Sequence, residues 1–160
     1  MAGNTYNVTQ VRAQTTVLSL QEVAQGFTHK YKIKGADLAA TTTATGFTDV
    51  ISVALGALPA LWKVRAAGVN INTAVAGTTA LTLVVGTTTT TNAFVTSQSV
   101  LTAGWLNGVP ALTSAVVTAT ATLSMVAVFT NATSGSPSAI TAGDLDIYLA
   151  IDNDVAGSNG

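Results

Sequence analysis

The chain has 160 residues, of which 48% are hydrophobic and only 8% are charged, against roughly 25% in an average soluble domain. Its net charge of −1, its single histidine and its lack of cysteine argue against three classes of protein: phosphate-neutralising nucleic-acid binders, disulfide scaffolds and cysteine–zinc proteins. The length predicts one domain, and no run of about 20 apolar residues or signal-peptide pattern is present, so we expect no membrane association.

The first third of the chain predicts an N-terminal arm, one helix and one strand. Residues 1–15 are polar, and a partner could order them as an arm. Residues 18–25 are the best helical candidate, and residues 37–46 predict a low-complexity connector. Between these two segments, apolar or aromatic residues alternate with lysines, which is the period of a strand. The alternating residues are Phe27, His29, Tyr31 and Ile33 on one face and Lys30, Lys32 and Lys34 on the other.

The middle of the chain predicts two more strands and an irregularity. Ile51, Val53 and Leu55 form one apolar face, and residues 56–59 predict a turn. The next strand has its apolar face at even positions up to Ala66 and at odd positions from Val69. A strand cannot change its apolar parity without an extra residue, so we expect a bulge or break at Ala67-Gly68.

The remaining segments complete an all-β pattern of about seven or eight strands separated by Gly, Pro, Asn and Ser. Four further strands are predicted over residues 79–85, 93–96, 116–130 and 145–151. This spacing predicts a single-domain, jelly-roll-like β-sandwich. We assign residues 1–34 to the N-terminal arm and first strands, and residues 35–160 to the sandwich body.

The charges are distributed unevenly along the chain. All basic residues lie between Arg12 and Arg65, and residues 66–143 contain no charged side chain. A free monomer usually stays soluble through mixed surface charge. The charge-free block therefore predicts a surface covered by other copies of the chain or by a larger assembly.

Few residues could perform chemistry. His29 has no visible nucleophile or acid partner, so we do not expect an enzyme. The segment Asp152-Asn153-Asp154 only faintly resembles a calcium loop, because it lacks the 12-residue spacing and the closing Glu. We expect no metal, no cofactor and no small-molecule ligand. Trp105, in a predicted loop over residues 104–108, is the plausible exposed aromatic side chain.

The lysine stripe, defined as Lys30, Lys32 and Lys34, has two interpretations of equal weight. It could be a solvated strand face that resists unwanted pairing. It could also be a basic surface that docks on an acidic protein. The ladder of Thr118, Thr120 and Thr122 predicts an outer or interface face of one strand, since no fixed repeat of an ice-binding solenoid is present.

Three stretches of the chain resemble small virion proteins of tailed bacteriophages. These stretches are DVISVALGALPALWKVRAAGVNINTAVAGTTALTLVVGTT, VVTATATLSMVAVFT and SAITAGDLDIYLAID, and together they cover about residues 47–152. In that group a strand leads through a Pro/Ala-Gly turn to an Asn-containing strand, then to a Thr-Leu-rich strand ending in Gly. An Ala-Gly-x-Leu-x-Ile-Tyr-Leu segment follows near the end. Here the third strand is followed by an uncharged Thr run, and the tail NDVAGSNG is additional.

The resemblance implies a capsid decoration, or cement, protein on the outer surface of a phage head, assembled in the host cytoplasm. Such proteins are often trimers that clamp neighbouring copies of the major capsid protein, which would be the partner here. The charge distribution leads us to expect the shell contact within residues 1–34. The contact candidates are Arg12, Phe27, Lys30, Tyr31, Lys32 and Lys34.

Other functions stay open. The chain could be a head fibre, a tail component or a receptor-binding β-sandwich of a virion, or a carbohydrate-binding module of a secreted enzyme. Binding of a glycan that depends on Trp105 would favour one of these over a cement protein.

Overall fold

The computed structural model of the chain describes residues 5–8, 14–15, 26–39, 50–107, 121–131 and 137–153. The strands of these residues are, in chain order, β1 (Thr5–Val8), β2 (Gln14–Thr15), β3 (His29–Lys34), β4 (Val50–Leu58), β5 (Trp62–Ala76), β6 (Leu81–Thr87), β7 (Val95–Ser99), β8 (Gly104–Asn107), β9 (Leu123–Asn131) and β10 (Ala142–Asn153). A short helix, α1 (Gly35–Ala39), follows β3, and a 3₁₀ turn spans Pro137–Ala139.

The strands form two five-stranded sheets. The first sheet has the order β1-β4-β9-β6-β7 and the second has the order β2-β3-β10-β5-β8. Neighbouring strands are antiparallel except β1 and β4, which are parallel. The two described pieces of the predicted arm, β1 and β2, each add an edge strand to one of the sheets.

One hydrophobic core lies between the two sheets, and strand alternation supplies it. Tyr31 and Ile33 on β3 face this core, as do alternate residues of the central strands. The largest fully buried side chains include Phe129, Ile33, Ile51, Leu58, Ile71, Leu83, Met125, Leu145, Ile147 and Leu149. The predicted all-β sandwich is confirmed, whereas the jelly-roll connectivity stays a prediction.

The parity change predicted in β5 is present, but its position was wrong by about two residues. Val64 pairs with Ile151 and Ala66 pairs with Ala150, so Arg65 is the extra residue of the bulge. From Ala66 through Val69 the pairing with β10 is continuous. The bulge at Arg65 is what places both Val64 and Ala67 in the core.

Other predicted boundaries also change. The strand β4 continues through Gly56 to Leu58, since a register shift between Ala54 and Gly56 accommodates the glycine at a φ of 124°. The predicted turn at residues 56–59 was therefore placed too early. Residues 37–39 of the predicted connector belong to the helix α1, and its residues 40–46 lie outside the described part of the chain. The predicted loop around Trp105 is the strand β8.

Further expectations concern residues outside the described part of the chain. The predicted helix at residues 18–25 is one of them, and Arg12 is another. The strand predicted over residues 116–130 is observed from Leu123 onward, while residues 116–120, with the threonine ladder at Thr118 and Thr120, lie outside the described ranges.

Candidate functional site

The lysine stripe lies on the outer face of the second sheet. Because Tyr31 and Ile33 are buried, the lysines between and beside them point away from the core. Each lysine lies opposite a residue of β10. The pairs are Lys30 with Tyr148, Lys32 with Asp146 and Lys34 with Asp144.

Two of the three lysines form ion pairs with aspartates of β10. Lys32 Nζ lies 3.0 Å from Asp144 Oδ1 and 3.6 Å from Asp146 Oδ1, and Lys30 Nζ lies 3.7 Å from Asp146 Oδ2. The hydrogen bond to Asp144 is the main cause that raises the pKa of Lys32, and the charge of Asp146 adds to it, while burial opposes it. The stripe is therefore largely neutralised within the sheet.

Asp146 connects these lysines to two asparagines of β5. Asn72 Nδ2 donates to Asp146 Oδ2 at 2.8 Å and to Asp144 Oδ1 at 3.4 Å, and Asn70 Nδ2 donates to Asn72 Oδ1 at 2.7 Å. Asp146 is only 4% exposed, although it lies on the outer face of the sheet. The surrounding lysine ammonium groups and asparagine amides stabilise the buried carboxylate of Asp146 on this face.

An aromatic cluster continues this face toward β8. The ring centroids of Phe27 and Tyr148 are 5.3 Å apart, those of Trp105 and Tyr148 are 5.5 Å apart, and those of Phe27 and Trp105 are 6.0 Å apart. Lys30 Nζ lies 5.3 Å from the Tyr148 centroid, within cation–π range. Tyr148 is buried under this cluster, whereas Trp105 remains 45% exposed.

Gly68 allows the indole of Trp105 to lie on the sheet. A Cβ at position 68 would lie 2.8 Å from Cη2 of the Trp105 ring, which is closer than real side chains pack. Gly68 pairs with Tyr148 on one side and with Asn107 on the other, so it is a gap in the row of outward side chains. The six-membered ring of the indole occupies that gap.

The first sheet differs from the second because its strands contain no charged residue. The sequences of β1, β4, β9, β6 and β7 are TYNV, VISVALGAL, LSMVAVFTN, LTLVVGT and VTSQS. Every charged residue of the described strands lies in the second sheet, and Asp37 lies on α1 beside it.

A groove of about 600 Å³ runs along the first sheet. Val126 and Val128 of β9 line it and are buried, although they are not part of the core between the sheets. The other lining residues are valines and small polar side chains, namely Val50, Ser52, Val84, Thr88, Thr91, Asn92 and Thr130. The loop after β6 forms one wall, where Thr87 N–H donates to Thr90 O and Thr90 N–H donates to Thr87 Oγ1.

The contact candidates from the sequence separate into different environments. Tyr31 is 4% exposed and packs in the core, so its ring is not part of a surface. Phe27 precedes β3 and packs on Tyr148 instead of continuing the buried face of that strand. Lys34 is exposed, and its backbone N–H donates to Asp37 Oδ2 at 3.3 Å.

Sequence reasoning missed the partners of these residues. Asn70 and Asp146 each lie between two core residues, and Asn72 and Asp144 each adjoin one, so that alternation was visible. Which strand lies beside which was not visible, because the pairing of β3 with β10 joins residues more than 100 positions apart.

His29 lies at the start of β3, stacked on Tyr31 with ring centroids 6.3 Å apart. Its Nδ1 lies 2.8 Å from Thr28 Oγ1, a hydrogen bond whose donor depends on the imidazole tautomer. In the described ranges, no group of three or more His, Asp or Glu side chains is arranged to hold a metal ion. No helix in this part of the chain has the length and apolar character needed to cross a membrane.

Comparison with known proteins does not assign a family to the chain. No protein-family model, no curated protein and no solved structure matches the chain.

Proposed function

We propose that the protein is a structural virion component, a capsid decoration protein that binds the outer surface of a phage head and stabilises contacts between major capsid subunits. The observation that carries this proposal is the charge-free first sheet with its groove along β4, β9 and β6. The resemblance of residues 47–152 to small phage virion proteins supports the same function. The action is binding alone, without catalysis.

An uncharged sheet is suited to a large permanent interface. Burying a charged side chain without a partner costs several kcal/mol, whereas burying Val and Thr at an interface carries no such cost. The valines at positions 126 and 128 already line a recess into which a partner side chain could insert. We therefore place the shell contact, or the contact between copies in a trimer, on the first sheet.

The lysine stripe is a second candidate for the surface that contacts the shell, but its ion pairs with β10 count against it. Because Lys30 and Lys32 lie against Asp144 and Asp146, a partner would have to compete with these carboxylates. The stripe stays a candidate through Lys34, which is exposed.

The test measures binding of the purified protein to empty shells of the major capsid protein by co-sedimentation. Ser52→Lys and Val84→Lys each place one charge in the groove, at half-buried positions of the first sheet. Each variant is expected to bind at least about tenfold more weakly, because the added charge would be desolvated at the interface. Light scattering at two protein concentrations shows whether the 16.0 kDa chain forms the expected trimer.

Thr73→Lys is the matched control, since it adds the same charge to an exposed strand position of the second sheet. It should bind shells as the unchanged protein does. Equal binding by all three variants, with their folds intact by circular dichroism, would rule out the first sheet as the contact. Failure of the unchanged protein to bind shells would overturn the proposed function.

A further inference from the structure

Trp105 is one of two large hydrophobic side chains that the described residues expose, and its surroundings are those of a ligand platform. The six-membered ring of its indole lies over Gly68, and the indole packs at a tilt against the rings of Tyr148 and Phe27. Packing of this kind holds the ring in one orientation. The ring nevertheless keeps 45% of its surface exposed, an apolar area that the fold itself leaves uncovered.

Polar groups adjoin this aromatic surface on the same face of the sheet. Asn70 lies directly across from Trp105 in the pairing of β5 with β8. Its Nδ2 donates to Asn72, which in turn donates to Asp146, so the hydrogen-bond chain leaves Asn70 Oδ1 as the acceptor at its end. Lys30 lies on the far side of Tyr148 and can donate.

We propose that this face, centred on Trp105 and Asn70, binds a neutral glycan through one pyranose ring. A pyranose has an apolar face of C–H groups and an edge of hydroxyls that both donate and accept hydrogen bonds. The exposed indole would contact the apolar face, while Asn70 and Lys30 would bond the hydroxyls at the edge. This activity goes beyond the proposed attachment to a shell and does not depend on it, because the two surfaces are on different sheets.

The charges of the face favour a neutral sugar over an acidic one. The ammonium groups of Lys30 and Lys32 already lie within 3.7 Å of the Asp146 carboxylate. A uronic acid placed beside them would meet that buried negative charge and would need to displace an existing ion pair. Asp146 Oδ1 is buried, accepts no hydrogen bond within the described residues, and has Lys32 Nζ 3.6 Å away to balance its charge.

The geometry also argues against a protein partner on this face. A protein interface of standard size needs about 800 Å² from each side, with an apolar centre. Here the large exposed apolar side chain is that of Trp105, beside the half-buried Phe27. The next positions on this face are the amide Asn70 on one side and the small Ala66 and Ala150 on the other, and Ala150 is already buried. A single sugar ring matches the extent of this platform.

The test is an NMR titration of the full chain with three neutral trisaccharides, composed of glucose, mannose and N-acetylglucosamine, and with one uronic acid trisaccharide. The chain has two tryptophans, so Trp105→Phe assigns the indole signals. At least one neutral trisaccharide is expected to shift the Trp105 indole signal and not that of Trp62. An affinity on the order of 1 mM is expected for a single exposed platform.

Three variants locate the site. Trp105→Ala should weaken binding at least about tenfold, and Asn70→Ala about fivefold, through loss of the platform and of one hydrogen bond. Gly68→Ala keeps the indole but displaces it from the sheet, so it should also weaken binding. This variant serves as the test if Trp105→Ala does not fold. Leu61→Ala is the control, because Leu61 is the other exposed large hydrophobic side chain and should not affect binding.

Several results would overturn the proposal. One is the absence of any shift with the neutral sugars at about 10 mM, ten times the expected dissociation constant of ~1 mM. The others are binding restricted to the uronic acid trisaccharide and unchanged binding by Trp105→Ala. Loss of self-association in Trp105→Ala, without sugar binding by the parent, would assign the face to a second copy instead. The proposed shell attachment is measured separately with sugar-free shells, so either proposal can fail alone.

Discussion

The packing of the His29 side chain determines the pH at which its imidazole takes up a proton. It is the chain's one imidazole, and it stacks on the buried ring of Tyr31 at the entrance to the core. Burial lowers the pKa of His29 below its ordinary value of 6.5, since the charged imidazolium is disfavoured where water is partly excluded. The neighbouring Thr28 hydroxyl holds the same strand end by accepting a bond from Ile151 N–H at 2.8 Å.

This pKa shift predicts a pH dependence of stability. Because the folded-state pKa of His29 is below the unfolded value, the unfolded chain binds the proton more readily. The contribution of neutral His29 to the free energy of unfolding is fully present above pH 6.5, and it is lost as the pH falls through the pKa of the folded state. We expect the urea midpoint to decrease between pH 7.5 and pH 5.5.

The measurement is a pair of urea titrations at each pH, with an NMR titration of the single histidine to report its pKa directly. His29→Gln keeps a polar side chain without a titrating ring, so it should remove most of the change in midpoint over this pH window. The explanation would be wrong if the variant retained the full pH dependence, or if the measured pKa of His29 were at or above 6.5.

At the scale of elements, the connection between β4 and β5 joins the two sheets and contains the clearest local strain. Leu61 has a φ of 70°, and its side chain is 52% exposed. The turn is closed by a hydrogen bond from Trp62 N–H to Pro59 O at 3.2 Å. A left-handed conformation costs a residue such as leucine about 1–2 kcal/mol, whereas asparagine adopts it readily.

Leu61→Asn is therefore expected to raise the free energy of unfolding by about 0.5–1 kcal/mol, because it relieves backbone strain at a position whose side chain is more than half exposed. Chemical denaturation measures this change. Leu61→Ala is the matched variant, since alanine also disfavours a positive φ, and it should give no comparable gain. A gain of equal size in both variants would attribute the effect to the exposed side chain and not to the backbone.

The elements also show what alternation can and cannot predict. The period of 2 correctly separated Tyr31 and Ile33 from the lysines of β3, and Leu145 and Ile147 from the aspartates of β10, because each strand has one face toward the core. It also required an extra residue in β5. The exact site of the bulge, Arg65, depends on the register with β10, and a register between distant strands is not a property of either segment alone.

The candidate site was less predictable for the same reason. Trp105 was recognised as exposed, but its platform requires Gly68, Tyr148 and Phe27, which come from separate parts of the chain. The burial of Asp146 was also missed. A carboxylate near the end of a sequence is usually solvated, and here β3 and β5 enclose it from both sides with lysines and amides.

For the whole molecule, the important property is the contrast between its two outer faces. The first sheet offers an uncharged groove, and the second combines ion pairs, amides and an indole. The charge-free sequence block over residues 66–143 contributes to both sheets, so the contrast arises from β3, β5 and β10 supplying charge to the second sheet alone. A partner that binds one face would leave the other accessible.

This contrast predicts how shell binding should respond to salt. Attraction between exposed charges is screened over about 10 Å at 0.1 M salt and over about 3 Å at 1 M, while burial of apolar surface is not screened in this way. If the first sheet makes the contact, raising sodium chloride from about 0.05 M to about 0.5 M should change the dissociation constant by less than about threefold. Co-sedimentation with empty shells at each salt concentration measures this change.

Simultaneous replacement of Lys30, Lys32 and Lys34 by Gln should leave binding intact in a variant that remains folded. A steep loss of binding with salt, abolished by the same triple replacement, would instead place the shell on the lysine stripe, because only docking through those charges depends on both the screening and the lysines.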